Sequence, residues 1–356
     1  MKLEKNSITI GFVSSIHPHS GMHIKTLDIM DSINEIRLYC FEGQDPLELS
    51  SISSKVRVIY KNLSDLLDDQ EINMIILSAR NDLCPEILEL AATAKKHVLF
   101  DKPGAVRSED LYKARDIATR NNINLSVMFL NRYRPEIQTL RQHVINGIFG
   151  KIMSVESRMI TSQVRYRNPN YWLFKKRNSG AGILSWLGCH YIDLLCYISN
   201  DKIIEVSAYI DNLNEEDLEV EDTAVLNLKF SNGSLGSFQN GYHLAGSLPG
   251  YSSASSDNHL AIRGRKGYGS LPFGGGEYHF YSEHDSLDLF GLQKMKFNSP
   301  TSDAYGGVMG ERFLEDFISS SLLGEKFDIS IDSVIHVLEV IEAAIESSLT
   351  SKSIRI

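Results

Sequence analysis

The first 130 residues alternate short apolar runs with segments of helical periodicity, and this alternation constrains the fold more than any other feature of the sequence. Short apolar runs bounded by turn residues are typical of buried strands, whereas apolar residues spaced three and four apart are typical of helices. The predicted strands are 7–14, 35–41, 56–60, 74–77, 98–100 and 125–129, and the predicted helices are 22–32, a short one from 64, 85–95 and 108–120. This order predicts a parallel, doubly wound α/β sheet of the Rossmann type.

From about residue 131 the pattern changes to longer strands joined by hairpin turns, such as Asn232-Gly233. The predicted strands are 151–160, 203–210, 223–230, 234–242, 259–263 and 278–281, and the predicted helices are 135–146, 183–198, 310–323 and 331–349. We therefore predict two domains. Residues 1–130 form the Rossmann domain, and residues 131–356 form an α+β domain with a large, mostly antiparallel open sheet.

Composition narrows the class of partner and the compartment. The net charge of −9, without a basic block, argues against nucleic acid and anionic membranes as partners. The four cysteines lack CxxC spacing, which is typical of reduced thiols. No apolar run has transmembrane length, and the N-terminus lacks a signal-peptide hydrophobic region. We expect a cytoplasmic protein without a membrane partner.

The turn after the first strand should carry the pyrophosphate of a dinucleotide, yet it lacks the G-x-G-x-x-G pattern. Gly11 lies inside the strand, and the turn instead offers Ser14, Ser15, His17 and His19. Serine hydroxyls and backbone N–H groups at the start of a helix can also bind phosphate. We therefore predict that these four residues contact the cofactor.

Three further residues follow later strands of the same predicted sheet. Glu42 follows the second strand, where a carboxylate binds the adenosine ribose and repels a 2′-phosphate, so NAD is favoured over NADP. The alternative for Glu42 is a solvated turn residue. Ser78 and Asn81 follow the fourth strand and are predicted to contact the cofactor as well.

The histidines at positions 17, 19 and 23 also raise the question of a metal site. They have no carboxylate or cysteine near them in the sequence, and Pro18 separates the first pair. We therefore predict no metal, and expect these histidines to line the cofactor turn or to cap the following helix.

The segment Asp101-Lys102-Pro103 ends the fifth strand. Proline has no N–H to continue a strand ladder, so Lys102 should lie on a sharp turn at the carboxyl edge of the sheet, where ligands bind. The alternative is a surface turn with a solvated lysine.

The second informative segment is 182–193, GILSWLGCHYID. As a helix, it places Trp186, His190 and Asp193 on one face. A histidine with a carboxylate one turn away is suited to general acid–base catalysis. The alternative is a core histidine with satisfied hydrogen bonds.

Together these segments resemble the Gfo/Idh/MocA family of NAD(P)-dependent oxidoreductases. Asp101-Lys102-Pro103 resembles the family's Glu-Lys-Pro, and residues 182–193 resemble its G-x-L-x-D-x-G-x-H-x-x-D. Asn131-Arg132-Tyr133 resembles the segment that enters the second domain. The order of elements agrees from about residue 7 to the C-terminus.

The resemblance implies an enzyme that transfers hydride between NAD and a hydroxyl or keto carbon of a sugar, sugar derivative or cyclic polyol. It assigns catalysis to Lys102 and His190, a substrate contact to Asp193, and cofactor contacts to Asp101, Lys102 and Pro103. It also implies a homodimer or homotetramer formed through the second domain's sheet. The alternative is a non-catalytic NAD- or sugar-binding regulatory protein on the same fold.

Two departures from the family pattern matter. The glycine fingerprint is absent, and Trp186 occupies the position of the usual aspartate, where its ring could stack on a sugar. Arg165, Tyr166 and Tyr171 are further candidates for the substrate wall. The resemblance and the need for a tight turn predict a cis bond between Lys102 and Pro103.

Overall fold

The computed structural model describes residues 7–246, 256–272, 276–284, 287, 291–298 and 300–356. The chain divides into two compact units. The first comprises the described residues up to Tyr133 together with Pro300–Ile335. The second comprises the described residues of Arg134–Ser299 together with His336–Ile356.

Strands and helices alternate in the first unit up to residue 127. Its elements are β1 Ile8–Ser14, α1 Ser20–Ile29, β2 Ile33–Cys40, α2 Pro46–Ser50, β3 Val56–Ile59, α3 Leu63–Asp68, β4 Met74–Ser78, α4 Cys84–Thr93, β5 His97–Phe100, α5 Tyr112–Asn121 and β6 Leu125–Val127. The six strands form one sheet in the order β3-β2-β1-β4-β5-β6, and every neighbouring pair is parallel. This arrangement confirms the predicted Rossmann sheet.

The central strands of this sheet are buried, as expected for a parallel sheet covered on both faces. All five residues of β4 are buried. In β1, a Cβ atom at Gly11 would lie 3.1–3.2 Å from side-chain atoms of Ile72, Ile75 and Leu66. Gly11 therefore allows close packing of the sheet and is not part of a phosphate turn.

The remaining elements follow in chain order, and α9 belongs to the first unit. They are α6 Pro135–Ile145, β7 Ile152–Ser162, α7 Lys176–Ser179, α8 Cys189–Ser199, β8 Ile203–Asp211, β9 Thr223–Phe230, β10 Leu235–Leu244, β11 Ser256–Gly264, β12 Gly267–Leu271, β13 Glu277–Ser282, β14 Gln293–Lys296, α9 Val308–Leu322, α10 Ile331–Thr350 and β15 Ile354–Arg355. The second unit's strands form a nine-stranded sheet in the order β14-β13-β12-β11-β7-β10-β9-β8-β15. Only the β7–β10 pair is parallel among those described, which confirms the predicted, mostly antiparallel sheet.

The sequence did not predict strand β12, because its glycines are typical of turns. Gly267 and Gly269 instead lie within the strand, at points of close packing. A Cβ at Gly267 would lie 2.2 Å from the carbonyl oxygen of Tyr281, and one at Gly269 would lie 2.8 Å from Leu140 Cδ1. These glycines therefore serve strand packing.

Residues 300–335 lie in the first unit, although the sequence placed all of 131–356 in the second domain. Side-chain packing explains the difference: the ring of Phe313 lies edge-on to Tyr133, with centroids 5.1 Å apart. Asn124 Nδ2 also donates a hydrogen bond to the carbonyl oxygen of Glu325 at 2.8 Å. The residues in these contacts are far apart along the chain, so no single segment of the sequence predicts that they meet.

One segment of the described chain, Lys176–Ser199, is long and apolar enough to cross a membrane. Because 78% of its most apolar window is buried inside the protein, the segment also fits the core helix of a folded unit, and it is weak evidence for a membrane span.

Candidate active site

The carboxyl ends of β1, β4 and β5 lie side by side, because these strands are neighbours in the sheet. Ser14 ends β1, Ser78 ends β4, and Asp101 directly follows β5. Ser20, the first residue of α1, lies 2.8 Å from Ser14 Oγ and donates to Ser78 Oγ at 3.2 Å. Ser78 in turn donates to Asp101 Oδ2 at 2.6 Å. The structure thus brings together three residues predicted to contact the cofactor.

Two other predicted cofactor residues, Ser15 and Asn81, lie at the same edge. Ser15 Oγ accepts a hydrogen bond from the backbone N–H of Arg80 at 2.8 Å, and the Ser15 N–H donates to the carbonyl oxygen of Ser78 at 3.1 Å. Asn81 is 2% exposed. The turn after β1 is therefore held by side-chain hydrogen bonds in place of an open glycine backbone.

Three histidines surround the carboxylate of Asp101, and we call these four residues the histidine cluster. His19 Nδ1 lies 2.9 Å from Oδ1 of Asp101, and His23 Nε2 lies 3.0 Å from Oδ2. His17 Nδ1 lies 3.4 Å from Oδ2 and 3.1 Å from Ser78 Oγ. The sequence predicted His17 and His19 beside the cofactor, but it gave no sign that Asp101 lies between them.

Burial controls the charge of the histidine cluster. It holds the pKa of His17 well below its ordinary value and lowers that of His19, outweighing the attraction of Asp101 in both cases. Burial alone would raise the pKa of Asp101, but the neighbouring imidazoles and the hydrogen bond from His19 hold that pKa well below its ordinary value. Burial thus favours the neutral form of His17 and His19, and the hydrogen bond from His19 favours the ionised form of Asp101.

Tyr305 completes the cluster from the far end of the chain. Its hydroxyl lies 3.3 Å from His19 Nε2, and its ring centroid lies 4.6 Å from that of His19 and 4.8 Å from that of His23. The Tyr305 N–H donates to Thr26 Oγ1 of α1 at 2.8 Å. Sequence reasoning missed Tyr305, because it lies 286 positions from His19.

The segment after β5 forms a buried turn around Lys102. The Lys102–Pro103 peptide bond is cis, as predicted. Gly104 follows with φ +72°, and a Cβ there would lie 2.5 Å from ring atoms of Phe100. Lys102 is only 1% exposed, so the alternative of a solvated surface lysine is wrong.

Glu42 lies in the turn after β2, and its side chain is exposed. The preceding residue, Phe41, extends the pairing with β1, because its N–H donates to the carbonyl oxygen of Ser14 at 2.8 Å. Glu42 is therefore the first acidic side chain beyond the end of β2.

In the second unit, the predicted helix 183–198 begins with a π-helical turn, Leu184–Gly188, before α8. Trp186 in this turn is 2% exposed and lies edge-on to Trp172, with ring centroids 6.5 Å apart. Its ring therefore packs inside the second unit, and stacking on a sugar stays a prediction.

Close backbone packing explains the glycines of the same segment. A Cβ at Gly182 would lie 1.9 Å from the carbonyl oxygen of Glu221, and one at Gly188 would lie 2.6 Å from Asn240 Oδ1. The Glu221 carboxylate accepts the N–H groups of Gly182 and Leu184 at 2.8 and 3.0 Å. Burial raises the pKa of Glu221, although these N–H groups oppose the rise. Glu221, which sequence reasoning missed, thus positions the start of the segment that carries His190.

His190 is the second residue of α8 and is partly buried. Asp193, one turn later, is 2% exposed. Burial lowers the pKa of His336, and the negative charge of Asp193 opposes that lowering. Asp193 is therefore an interior group of the second unit, and its substrate contact stays a prediction.

The other predicted substrate residues, Arg165, Tyr166 and Tyr171, lie in and just after the 3₁₀ turn Val164–Tyr166. The Arg165 guanidinium lies 5.0 Å from the centre of the Tyr166 ring, and the Tyr166 hydroxyl accepts the N–H of Gly246 at 2.9 Å. Tyr171 packs against the core, and burial raises the pKa of its hydroxyl. Of the three, only Arg165 is exposed, and the two tyrosines are partly buried.

Comparison with known protein families identifies both units. Residues 26–129 match the family model described as "Oxidoreductase family, NAD-binding Rossmann fold", and residues 137–269 match the "GFO/IDH/MocA C-terminal domain". The two matches cover about two thirds of the 356 residues. The chain belongs to the Gfo/Idh/MocA family.

Relatives within the Gfo/Idh/MocA family include several sugar and polyol dehydrogenases. The chain is 26% identical to myo-inositol 2-dehydrogenase of Thermotoga maritima, over 65% of this chain and 66% of the relative. It is 25% identical to levoglucosan dehydrogenase of Pseudarthrobacter phenanthrenivorans, over 49% of this chain and 50% of the relative. These matches span about half to two thirds of the length of the relatives.

Solved structures of similar fold cover nearly the whole chain. A levoglucosan dehydrogenase in complex with NADH and levoglucosan superposes with a TM-score of 0.84 at 19% identity, over 98% of this chain and 99% of that one. An oxidoreductase domain protein from Kribbella flavida gives a TM-score of 0.83 at 21% identity, over 100% of both chains. At these identities the likeness establishes the fold.

Proposed function

We propose that this Gfo/Idh/MocA protein is an NAD-dependent oxidoreductase that acts on a hydroxyl-bearing carbon of a sugar, sugar derivative or cyclic polyol. The observation that carries the proposal is the placement of Lys102. This lysine is buried on a tight turn at the carboxyl edge of the Rossmann sheet, next to the ionised carboxylate of Asp101. Ligands of open α/β sheets bind at this edge.

The first unit fits NAD at several points. The strand order reverses between β1 and β4, which is where such sheets bind dinucleotides. Glu42 offers a carboxylate to a ribose, and α1 begins just after the turn that follows β1. The turn itself is built from Ser14, Ser15 and the histidines rather than from glycines.

The catalytic chemistry follows from two side chains. NAD, when bound, supplies the hydride acceptor. His190 takes the proton from the substrate hydroxyl as a general base, a role that contributes about 10²–10⁴-fold to the rate. The ammonium group of Lys102, at the carboxyl edge of the first unit's sheet, is suited to stabilise negative charge that develops on a substrate oxygen.

The substrate class rests on the family and on its named relatives. Dehydrogenases of myo-inositol, levoglucosan and glucose 6-phosphate are among them. All three substrates are rings that carry several hydroxyl groups, so the proposal takes a polyhydroxylated ring as its substrate.

The oligomeric state and compartment form part of the same proposal. One face of the nine-stranded sheet exposes apolar side chains, including Tyr209 at 80%, Leu235 at 60% and Val225, the register partner of Tyr209, at 40%. We propose that this face forms a homodimer, because exposed apolar side chains on one sheet favour association. The four free cysteines support the proposal of a cytoplasmic protein.

The test is a turnover assay with NAD and a panel of cyclic polyols and sugars, followed by the near-ultraviolet absorbance of the reduced nicotinamide. We expect wild-type turnover with at least one of them, and a loss of about 10²-fold or more in His190→Ala with NAD affinity nearly unchanged. His259→Ala, which changes a histidine paired with Glu156 on the sheet, is the control and should keep wild-type turnover. Wild-type turnover in His190→Ala would contradict the assigned base, and failure of the wild type to bind NAD would contradict the whole proposal.

A further inference from the structure

The histidine cluster has the composition of a metal site. Three imidazoles and one carboxylate meet at the ends of β1 and β5, and each can supply a ligand atom to a divalent transition metal. The prediction of no metal rested on the lack of a carboxylate near the histidines in the sequence. The fold supplies that carboxylate as Asp101, 82 positions from His19.

The distances within the cluster match those around a zinc ion. Zinc binds nitrogen and oxygen ligands at about 2.0–2.2 Å, so two ligand atoms at adjacent corners of a tetrahedron lie about 3.3 Å apart. The ligand atoms of His17, His19 and His23 lie 3.4, 2.9 and 3.0 Å from an oxygen of Asp101. The ligand atoms of His17, His19 and Asp101 all lie within 4.8 Å of one another.

Burial and charge also favour a cation at this position. The side chains of His17 and His19 are 0% exposed, that of Asp101 2% and that of His23 7%. A carboxylate buried to this depth needs a hydrogen-bonding or positive partner, and a metal ion is a strong positive partner in proteins.

A second layer of hydrogen bonds orients the ligands. Ser78 donates to Asp101 Oδ2 at 2.6 Å, and the Tyr305 hydroxyl lies 3.3 Å from the distal nitrogen, Nε2, of His19. Metal-binding histidines and carboxylates are generally held by partners of this kind, which fix the direction of each ligand.

We propose that His17, His19, His23 and Asp101 bind one divalent transition-metal ion of the zinc type. The ion joins the turn after β1 to the end of β5, and so fixes a turn that lacks glycine beside the segment that carries Lys102. The cluster encloses the ion with four protein ligands, which is typical of a structural site. This inference is independent of the proposed redox activity.

The test uses the purified full-length protein, stripped of metal with a chelator and titrated with Zn²⁺ or Co²⁺ alone. Calorimetry should show one ion per chain, and Co²⁺ should give the visible absorption of a tetrahedral complex. Loss of a hydrogen-bond partner of a metal ligand typically weakens metal binding by 10–100-fold. His19→Ala loses the ligand itself, so it should weaken metal binding by about 100-fold or more. His259→Ala, which removes a histidine–carboxylate pair of 3.1 Å in the second unit, should bind the metal like the wild type.

His23→Gln provides a second variant in case His19→Ala does not fold. Its amide can still donate to Asp101, so circular dichroism should show a native protein, while metal affinity falls. Lack of stoichiometric metal binding by the wild type would overturn the proposal, as would wild-type affinity in a folded His19→Ala or His23→Gln. Neither result depends on NAD or on a substrate, so a failure here is distinct from a failure of the proposed oxidoreductase activity.

Discussion

Replacement of Gly182 by alanine tests how the segment that carries His190 is held. A Cβ at this position would lie 1.9 Å from the carbonyl oxygen of Glu221 and 2.9 Å from its carbonyl carbon. The obstacle is a backbone atom, so one of the two backbone segments must move by about 1 Å. Only then does the contact reach 3.0 Å, below which real Cβ atoms are essentially never found. The movement also distorts the hydrogen bonds that the N–H groups of Gly182 and Leu184 donate to the Glu221 carboxylate.

The magnitude follows from these two effects. Overpacking of a well-packed site costs about 1–3 kcal/mol. Weakening the two hydrogen bonds to the carboxylate adds about 1–2 kcal/mol in total. The free energy of unfolding of the second unit should therefore fall by about 2–5 kcal/mol, and its thermal midpoint should fall by about 5–15 °C.

The fluorescence of the two tryptophans reports on the folding of the second unit. Trp172 and Trp186 both belong to it, and Trp186 lies in the π-helical turn that starts two residues after Gly182. Thermal and urea unfolding of Gly182→Ala, followed by tryptophan fluorescence, should show the lower stability, and the native emission should shift as Trp186 moves.

The control is Gly21→Ala in α1. Its Cβ would approach only the flexible end of Ile52, at 3.1 Å, and alanine favours a helix over glycine by about 1 kcal/mol. By circular dichroism this variant should be as stable as the wild type or slightly more stable. A Gly182→Ala protein with unchanged midpoint and unchanged emission would refute the argument from the Glu221 contact.

Three other changes test the rest of the site. Burial raises the pKa of Glu221 in the folded protein, so ionisation of this group opposes folding. The stability that the protonated group contributes is fully present below the unfolded-state pKa of about 4.3, and it is lost as pH rises through the raised folded value. Relative to Glu221→Gln, the wild type should therefore lose unfolding free energy as pH rises above about 4.3 and through the raised folded value, as measured by urea unfolding, and a difference independent of pH would contradict this assignment. Gly104→Ala combines strain at φ +72° with a Cβ 2.5 Å from the Phe100 ring, so it should lower the stability by about 1–3 kcal/mol and weaken NAD binding in calorimetry; unchanged values of both would show that the turn tolerates a side chain. Wild-type protein should bind NAD more tightly than NADP, and Glu42→Ala should reduce that preference by about tenfold, equivalent to about 1.4 kcal/mol; tighter binding of NADP by the wild type would contradict the role of Glu42.

Local patterns were sufficient to predict much of this molecule. The apolar runs of β1, β4 and β5 and the helices between them defined the Rossmann sheet, because strand and helix periodicity are local properties. The cis bond at Pro103 was likewise predicted from one short segment and its resemblance to a family.

The contacts that depend on distant residues could not be predicted in this way. Asp101 meets His19 across 82 positions, and Tyr305 meets it across 286, so no window of sequence contains these partners. A helical pattern also does not predict that Trp186 packs against Trp172. Strand β12 was not predicted, because the backbone that Gly267 packs against, at Tyr281, lies on another strand.

The chain passes from one unit to the other three times, because residues 300–335 belong to the first unit and His336–Ile356 belong to the second. During synthesis, the residues of the β1–β6 sheet therefore leave the ribosome before α9 has been made. The contact between Phe313 and Tyr133 can form only after that. The same connectivity governs protein engineering: a fragment cut after Tyr133 would lose Tyr305 from the histidine cluster, and a deletion of residues 134–299 would leave His336–Ile356 without the rest of the second unit.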